Sequence, residues 1–494
     1  MNYKSTRNKN DAGVSSAQAI KQGLAEDGGL FLPDEIPSLS KADVERLCGL
    51  SYPERATDIL SAFLTDYTYD EILADCKEAY NANSFPGGAA PLVNLEGNIN
   101  LLELWHGPTA AFKDMALQIM PRLLVRALKK TGETRTALIL VATSGDTGKA
   151  ALEGYKDVDG VKIMVFYPEN GVSRVQKLQM ASQTGGNVNV CAIRGNFDDA
   201  QNGVKKIFSD TEFAKELDRR GYFLSSANSI NWGRLVPQIV YYVSAYCDLV
   251  AAKKIKNGDA INVCVPTGNF GNILAAYIAK LMGLPIDKLI CASNVNNVLT
   301  DFIRTGTYDR NREFHVTMSP SMDILISSNL ERLLYFTAGA DRTAKYMKEL
   351  SSTGKYTVDK DVFDKIGESF VGYFTDEKET AKTIKECFEK RGYLSDTHTA
   401  VAISAAKRYI EETGDTKEIV TASTASPYKF AADVMYSIFG EKAEDPLAAL
   451  DILSAKTNTE IVYPLRNIAA RKVNFTKVAD VCDMPKEVLE YAEK

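Results

Sequence analysis

The sequence WHGPTAAFKD, residues 105–114, places a lysine at the point where a predicted strand gives way to a predicted helix. The apolar run 99–105 predicts a strand, the Gly-Pro pair at 107–108 ends it, and the apolar spacing of residues 115–129 predicts a helix. Beside a helix N-terminus, among small apolar neighbours, the ammonium of Lys113 is destabilised, which lowers its pKa and favours the neutral amine. A neutral amine is a nucleophile that suits a Schiff base with a carbonyl group or an aldehyde cofactor. The alternative is a lysine that extends to solvent along apolar surface.

From residue 98 onward, short apolar runs alternate with longer helical patterns, which predicts an α/β fold with open, mostly parallel sheets. The predicted strands lie at residues 136–143, 161–166, 187–193, 261–265 and 288–292. Residues 1–95 carry helical patterns and predict a helical cap on this fold. The charged stretches 309–313 and 345–360 lack a clear pattern and predict surface loops or a mobile insertion.

The composition excludes several classes of protein. The chain has 494 residues, is 45% hydrophobic and carries a net charge of -6, so it has no whole-molecule attraction for nucleic acid or an anionic membrane. Its eight cysteines are scattered without a Cys-x-x-Cys pair, which predicts neither a disulfide framework nor a zinc site. The three histidines are too few and too dispersed for a metal site, and no secretory signal or membrane span is predicted. The expected location is therefore cytoplasmic.

A glycine-rich loop with the sequence PTGNFGN, residues 266–272, follows a predicted strand and leads into a helical pattern. Its glycines let the backbone wrap an anion, and the helix N-terminus supplies unpaired N–H donors. The loop lacks the Gly-Lys-Ser/Thr of a nucleoside-triphosphate site and the G-x-G-x-x-G of a dinucleotide site. Taken alone, it fits a phosphate site and an unliganded tight turn equally well.

Three further polar segments carry candidate chemistry. The hydroxyls and N–H groups of TSGDTG, residues 143–148, suit a carboxylate or second anion, although an acid at this position also suits a helix cap. The segment ANSINWGR, residues 227–234, ends in a guanidinium suited to bidentate phosphate capture, or forms an Asn-rich loop that satisfies its own backbone. The segment TASTASPYKF, residues 421–430, crowds hydroxyls at a strand end, where they suit either a helix cap or a pyridine nitrogen.

Together and in this order, these four segments resemble the threonine synthase family, pyridoxal-phosphate enzymes of fold type II to which the tryptophan synthase β subunit also belongs. The resemblance extends from YKSTR at 3–7 and GLAEDGGL at 23–30 to SPSMDI at 319–324 and SSNLER at 327–332. The last two stretches are associated with this family, whereas glycine-rich loops are shared widely. The resemblance therefore covers nearly the whole chain.

The resemblance implies a particular domain organisation. Residues 1–95 form a mainly helical N-terminal threonine synthase domain, and residues 96–494 form a catalytic domain of two α/β subdomains. Residues 136–225 form the smaller, mobile subdomain, inserted in the larger one. A small-molecule substrate is implied, with no nucleic acid or membrane partner, and the chain is expected to be a monomer or homodimer.

The resemblance also implies roles for individual residues, and it implies no metal. Lys113 forms the Schiff base with pyridoxal 5'-phosphate and is the catalytic residue. The cofactor phosphate binds at Gly268, Asn269, Phe270, Gly271 and Asn272, and Thr424 faces the pyridine nitrogen. The substrate carboxylate binds at Ser144, Gly145, Asp146 and Thr147. The substrate phosphate binds at Asn228, Ser229 and Arg234.

The implied reaction converts O-phospho-L-homoserine and water into L-threonine and phosphate by γ-elimination and β-addition, the last step of threonine biosynthesis. Such an enzyme is a carbon–oxygen lyase acting on phosphate. The sequence departs from the family at Asn8, where a glycine is expected, and at Ser426, where many members have histidine; the second change affects the hydrogen bonding expected around Thr424. Two alternatives are a lyase that releases phosphate, an oxo acid and ammonia, and a cofactor-binding protein without turnover.

Overall fold

A computed structural model describes residues 1–493 and shows two separate, mostly parallel sheets flanked by helices, which confirms the α/β fold class. The strands are β1 Tyr3–Ser5, β2 Phe31–Pro33, β3 Leu92–Glu96, β4 Ile99–Glu103, β5 Thr136–Ala142, β6 Val161–Pro168, β7 Val188–Arg194, β8 Tyr222–Ser225, β9 Ile261–Pro266, β10 Ile286–Ser293, β11 Thr307–Asp309, β12 Lys355–Thr357, β13 Phe370–Phe374, β14 Ile419–Ser423 and β15 Val478–Asp480.

Helices surround both sheets. They are α1 Ser16–Gln22, α2 Lys41–Cys48, α3 Tyr52–Phe63, α4 Tyr69–Ala79, α5 Asp114–Leu117, α6 Met120–Lys130, α7 Asp146–Tyr155, α8 Arg174–Ala181, α9 Phe197–Ser209, α10 Thr211–Arg219, α11 Trp232–Ala251, α12 Gly271–Leu281, α13 Val298–Thr305, α14 Leu330–Ala338, α15 Ala340–Thr353, α16 Lys360–Ser369, α17 Glu377–Arg391, α18 Thr397–Thr413, α19 Ala431–Phe439, α20 Ala448–Thr457 and α21 Met484–Ala492.

The larger sheet has six strands in the order β13-β10-β9-β14-β4-β3, and its neighbours run parallel except for the antiparallel pair β3 and β4. The smaller sheet has five parallel strands in the order β15-β7-β6-β5-β8. Four strands of the smaller sheet lie between residues 136 and 225, and β15 comes from the C-terminal region. Ligands of such sheets bind beyond the carboxyl ends of the strands, and the polar loops after β4, β5, β9 and β14 all leave from those ends.

The N-terminal helices begin where the sequence supplies caps. Ser40, Ser51 and Thr68 each begin a helix with a capping box, in which the N-cap and the third helical residue satisfy each other's backbone N–H groups. The apolar faces of α2 and α3 pack against α11, which is buried over most of its length. The strand β3 spans the residue 95/96 boundary expected from the sequence and pairs with β4. Across residues 1–493, no helix combines the length and the apolarity that crossing a bilayer requires.

Two predictions about local structure were wrong in part. The helix predicted at 115–129 is divided into α5 and α6, because Pro121 has no N–H to donate and its ring conflicts with the carbonyl of Leu117. Residues 345–353 were predicted as loop but belong to α15, whose buried Ala340, Thr343 and Tyr346 recur at helical spacing. This helix starts before the charged stretch, so a window beginning at residue 345 missed half of its apolar face.

Candidate active site

Lys113 is the N-cap residue of α5, and its side chain is 12% exposed. Its Nζ lies 3.9 Å from Oδ2 of Asp146 and 4.8 Å from the centre of the Phe112 ring. Burial lowers the pKa of Lys113 to about 8; the carboxylate of Asp146 opposes this change, whereas Lys429 and Arg234 reinforce it. The lowered pKa predicted from the sequence is confirmed, but its main cause is burial, since α5 is a single turn with a small dipole. A lysine extended into solvent is excluded.

The chain before Lys113 folds back onto the start of α5. A Cβ atom on Gly107 would lie 2.6 Å from Cβ of Asp114, so this position tolerates only glycine. The Asp114 carboxylate accepts hydrogen bonds from the backbone N of Thr109 at 2.8 Å and from its hydroxyl at 2.7 Å. Burial raises the pKa of Asp114 to about 6. The Gly-Pro pair therefore does more than end a strand, because it permits the turn that points Lys113 into the interior.

A buried ion pair lies beside Lys113. Nζ of Lys429 is 2.7 Å from Oδ1 of Asp146 and donates to the carbonyl of Thr109 at 3.0 Å. Nε2 of Gln176 also donates to Asp146, at 2.9 Å. Burial alone would raise the pKa of Asp146, but the charges of Lys429 and Lys113 hold it well below its usual range. The Asp146 carboxylate is thus paired with the two lysines. A substrate carboxylate bound at this loop would therefore contact the loop's hydroxyl and N–H groups instead.

These hydroxyl and N–H groups belong to the loop that joins β5 to α7. The hydroxyl of Thr143 accepts hydrogen bonds from the N–H groups of Gly145 and Gly148, both at 2.9 Å. Gly145 has a φ of 138°, a conformation that side chains other than glycine rarely adopt. Within residues 1–493, the hydroxyls of Ser144 and Thr147 have no hydrogen-bonding partner. The loop therefore keeps free donors at the start of a helix, as an anion site requires.

The loop between β9 and α12 is held in a curved shape by neighbouring chain. Phe270 has a φ of 62° and is the N-cap residue of α12. The carbonyl of Asn269 accepts hydrogen bonds from the backbone N of Asn329 at 3.1 Å and from its Nδ2 at 3.0 Å. A Cβ atom on Gly268 would lie 2.6 Å from the carbonyl of Ser321, so a side chain here would displace one of the two segments. The carbonyls of Gly268 and Asn269 therefore accept hydrogen bonds from residues 327–329.

Several donors of this loop have no partner among residues 1–493. The N–H groups at the start of α12, from Gly271 onward, point beyond the helix N-terminus. Oδ1 of Asn272 accepts a hydrogen bond from the hydroxyl of Tyr242, but its buried Nδ2 has no partner among residues 1–493. An orphaned buried donor is costly, which indicates that an acceptor ligand completes it. The loop therefore fits a phosphate group.

Thr424 lies alongside the Lys113 segment because the two chains pair. The backbone N of Phe112 donates to the carbonyl of Thr424 at 2.8 Å, and the N of Ser426 donates to the carbonyl of Ala110 at 3.0 Å. The backbone N of Thr424 donates to the hydroxyl of Thr399 at 3.2 Å. The hydroxyl of Thr424 makes no hydrogen bond within the described chain. Ser426 caps the 3-10 turn Pro427–Phe430. The backbone at Thr424 is thus held without a side chain from position 426.

The segment at 226–234 is less directly connected to Lys113. Nη1 of Arg234 donates to the carbonyl of Ala227 at 2.6 Å, while its Nε is buried without a partner among residues 1–493. Burial lowers the pKa of Arg234 to about 10. The side chains of Asn228 and Ser229 make no hydrogen bond in the described chain. The structure therefore brings Lys113, Asp146 and Thr424 together, whereas no hydrogen bond within residues 1–493 joins the side chains of Asn228 and Ser229 to that group.

The histidines near the site have structural partners. Nε2 of His106 lies 2.8 Å from Oε2 of Glu103, and its ring stacks on Trp105. Nε2 of His398 accepts a hydrogen bond from the backbone N of Ser321 at 3.1 Å, and its Nδ1 faces a buried aspartate. Residues 1–493 contain no cluster of three or more histidine, cysteine, aspartate or glutamate side chains arranged to hold a metal ion.

Residues 85–425 match the family model described as pyridoxal-phosphate dependent enzyme, and with two parallel sheets around a buried lysine they define an enzyme of that class, of fold type II. The flanking regions match models described as threonine synthase N terminus, at residues 2–80, and threonine synthase C-terminal, at residues 399–479. The chain belongs to the threonine synthase family.

Individual relatives agree with this assignment. Threonine synthase-like 1 from Homo sapiens is 42% identical over 434 residues, which cover 85% of this chain but only 58% of that protein, so the chain spans little more than half of its length. Threonine synthase from Pseudomonas aeruginosa is 37% identical over 94% of this chain and 96% of its own length. The crystal structure of pyridoxal-phosphate-bound threonine synthase from Brucella melitensis is 37% identical, with a TM-score of 0.86 over the full length of both chains, 100% of each.

Sequence reasoning missed three residues that organise the site. Lys429 was read only as part of a polar segment, although a lysine in an apolar helix start is the same signal that singled out Lys113. Gln176 and Arg332 act through hydrogen bonds to distant segments, Asp146 and residues 31 and 230 respectively. No local pattern encodes such contacts, because they depend on the tertiary fold.

Proposed function

We propose that this chain converts O-phospho-L-homoserine and water into L-threonine and inorganic phosphate, with pyridoxal 5'-phosphate as its cofactor. The observation that carries the proposal is a buried lysine of lowered pKa beside one carboxylate, with separate anion-ready loops around it. Membership of the threonine synthase family, with family models matched between residues 2 and 479, supports O-phospho-L-homoserine as the phosphorylated amino acid. The substrate carries two anionic ends and the cofactor a third, which matches three loops with unsatisfied donors.

The residues that would hold the cofactor fit its chemistry. The loop 268–272 would bind the cofactor phosphate through the α12 N-terminus and the orphaned Nδ2 of Asn272. The free hydroxyl of Thr424 would face the pyridine nitrogen, and the amine of Lys113 would react with the aldehyde carbon. When bound, the cofactor supplies an electron-withdrawing ring that accepts the charge developed at the substrate carbons.

The protein's task in the reaction is to orient the substrate and move protons. The substrate's amine would displace that of Lys113, which leaves Lys113 as the nearby base. Lys113 would take protons from Cα and Cβ and return protons to Cγ and Cα, while water supplies the hydroxyl group at Cβ and its remaining proton leaves with the phosphate. An amine with a pKa near 8 serves both directions at neutral pH, since neither its protonated nor its neutral form is rare. The loop 144–147 would bind the substrate carboxylate, and Asn228, Ser229 and Arg234 its phosphate, so that the reacting carbons are held at Lys113.

The test is to incubate the purified chain with pyridoxal phosphate and O-phosphohomoserine and to follow phosphate and threonine together. Equal amounts of both products support the proposal. Phosphate with 2-oxobutyrate and ammonia would instead support a lyase, and cofactor binding without phosphate release would support a binding protein. Lys113→Ala should abolish turnover, and borohydride reduction should fix the cofactor to the Lys113 peptide of the wild-type protein but not of the variant; near-normal activity in the variant would contradict the assignment.

Further features belong to the same proposal. We place the functional boundary of the N-terminal domain near residue 95 and treat residues 136–225 as a subdomain that moves relative to the larger sheet, which would let the loop 144–147 close on substrate. A cytoplasmic location and a monomeric or homodimeric state are in keeping with a small-molecule biosynthetic enzyme. Sedimentation tests the oligomeric state, and hydrogen exchange across residues 136–225 with and without substrate tests the movement of the subdomain.

A further inference from the structure

Arg332 joins three parts of the molecule that are far apart in sequence. It lies in the first turn of α14 and is fully buried, 0% exposed. Its guanidinium donates to the carbonyl of Phe31 at 2.9 and 3.1 Å, to the carbonyl of Ile230 at 2.6 Å and to Oδ1 of Asn329 at 2.5 Å. One side chain therefore fixes the N-terminal strand β2, the segment 226–231 and the start of α14 at once.

Through Asn329 the same guanidinium reaches the phosphate loop. Asn329 accepts from Arg332 and, through its backbone N and Nδ2, donates twice to the carbonyl of Asn269. The carbonyl of Ile230 follows Asn228 and Ser229 directly in the chain. The loop proposed for the cofactor phosphate and the loop proposed for the substrate phosphate are thus connected to each other by one planar group, whose fixed fork sets their separation.

The charge of this guanidinium is not balanced by its hydrogen-bonding partners, which are all neutral oxygens. The adjacent Glu331 is engaged by Arg7, which binds both carboxylate oxygens at 2.8 and 2.7 Å, and by the hydroxyl of Thr6. Burial lowers the pKa of Arg332 to about 9, and the charge of Glu331 opposes this change only in part. Burying a cation whose nearest carboxylate is hydrogen-bonded to another arginine is unfavourable. Another buried arginine, Arg55, is paired with a counter-ion, since its Nη1 lies 2.6 Å from the Asp248 carboxylate.

We propose that Arg332 is a positioning residue that holds the two phosphate loops at a fixed separation and supplies buried positive charge for the phosphates bound there, without touching either. The bound phosphates then provide the negative charge that its own partners lack. This inference rests on the proposed function for the identity of the two loops. It assigns Arg332 a role beyond packing, because a purely structural arginine would have no preference for a phosphorylated ligand.

Two variants separate the geometric and the electrostatic parts. Arg332→Lys keeps the charge but loses the fork, and Arg332→Gln loses both; Arg55→Lys is the matched control, a buried arginine on α3 that contacts neither loop. The dissociation constants of pyridoxal phosphate and of pyridoxal are measured on each apo-protein. Arg332→Gln should raise the dissociation constant of pyridoxal phosphate about tenfold, the change produced by about 1.4 kcal/mol. The dissociation constant of pyridoxal should stay within about twofold of its wild-type value.

The catalytic effect of the lysine variant should be larger than its effect on cofactor binding. Misplacing a binding group by about 1 Å costs on the order of 10²-fold in rate, so kcat/KM for O-phosphohomoserine should fall on that scale, mainly through KM. In Arg55→Lys, the affinity ratio of the two cofactor forms and KM should stay at wild-type values. An unchanged affinity ratio in Arg332→Gln, or equal effects in Arg332→Lys and Arg55→Lys, would overturn the inference.

The outcomes stay interpretable if part of the system fails. If the wild-type protein makes no threonine, the proposed function is wrong, whereas the affinity ratio still tests Arg332 against the phosphate loop. If Arg332→Gln does not fold, amide exchange in Arg332→Lys decides: it should rise both at 227–231 and at 268–272, and in neither segment of Arg55→Lys. Faster exchange in only one of the two segments would show that Arg332 does not connect them.

Discussion

Asp146 offers the most direct test of how the site controls Lys113. Its carboxylate lies 3.9 Å from Nζ of Lys113 and stabilises the ammonium form, against the effect of burial. Replacing Asp146 with asparagine removes that attraction and leaves the positive charge of Lys429 beside Lys113. Both changes favour the neutral amine, so the pKa of Lys113 should fall below its wild-type value of about 8.

The size of the effect follows from the distance. Two unit charges 3.9 Å apart interact by about 4 kcal/mol at the effective dielectric constant of about 20 that suits such sites. One pKa unit corresponds to about 1.4 kcal/mol, so the upper limit is a decrease of about three units. Lys429, fully buried and 2.7 Å from Asp146, would lose its counter-charge. Breaking such a pair typically costs about 3–5 kcal/mol of folding stability, which urea unfolding would detect.

The assay is the pH dependence of cofactor attachment to the apo-protein, followed by absorbance after mixing with pyridoxal phosphate. Only the neutral amine attacks the aldehyde, so the midpoint reports the pKa of Lys113. We expect the midpoint of Asp146→Asn to lie at least about one unit below that of wild type. Glu153→Gln is the control, since it neutralises a carboxylate on the same helix that pairs with Lys149 instead. A midpoint at or above the wild-type value, or equal shifts in both variants, would refute the reasoning.

Three further predictions concern the same site. In wild-type protein, the attachment rate should rise about tenfold per pH unit up to a midpoint near 8 and level off above it, because the lowered pKa of Lys113 leaves the ammonium form predominant only below that value; stopped-flow rates across the range check this. Asn272→Ala removes the orphaned donor and should weaken pyridoxal phosphate by about 10- to 100-fold, the range for a hydrogen bond to a charged group, but pyridoxal little, as titration of the two forms will show. Ser426→Ala should cost less than about 1 kcal/mol in urea unfolding and leave kcat near wild type, since its hydroxyl only caps a short turn; a large loss of kcat would assign it a catalytic role.

The sheets were predictable because their strands are continuous apolar runs. Buried parallel strands such as β9, which is buried throughout and apolar except for Asn262, stand out from the helical patterns on either side. β15 escaped prediction, since three residues of mixed polarity carry no periodic signal and become a strand only by pairing with β7. The helix α15 was missed in part because charge on its exposed face concealed the spacing of its buried residues.

The site was predictable where chemistry is local and unpredictable where it depends on tertiary contacts. The glycines at 107, 145 and 268 mark turns whose backbone cannot accept a side chain, and they drew attention to the correct loops. The pairing of Lys429 with Asp146 joins segments nearly three hundred residues apart, from 146 to 429, and the sequence around either residue does not predict its partner. Sequence reasoning therefore found the loops that supply donors but not the ion pair that sets the charge of the site.

The charge of the site favours binding of the proposed substrate over binding of the product. The charges of Lys429 and Arg234 act on Lys113 together with two carboxyl groups, those of Asp146 and Asp114, of which Asp146 is the nearer to the reacting amine. Three basic groups, Lys113, Lys429 and Arg234, thus outnumber the two acids and favour ligands that bring negative charge, and the proposed substrate brings a phosphate as well as a carboxylate. The product threonine keeps only the carboxylate, so it no longer spans both anion loops once phosphate has been released. The binding energy that depends on the substrate phosphate is thus available to the substrate and lost to the product, which promotes release of threonine.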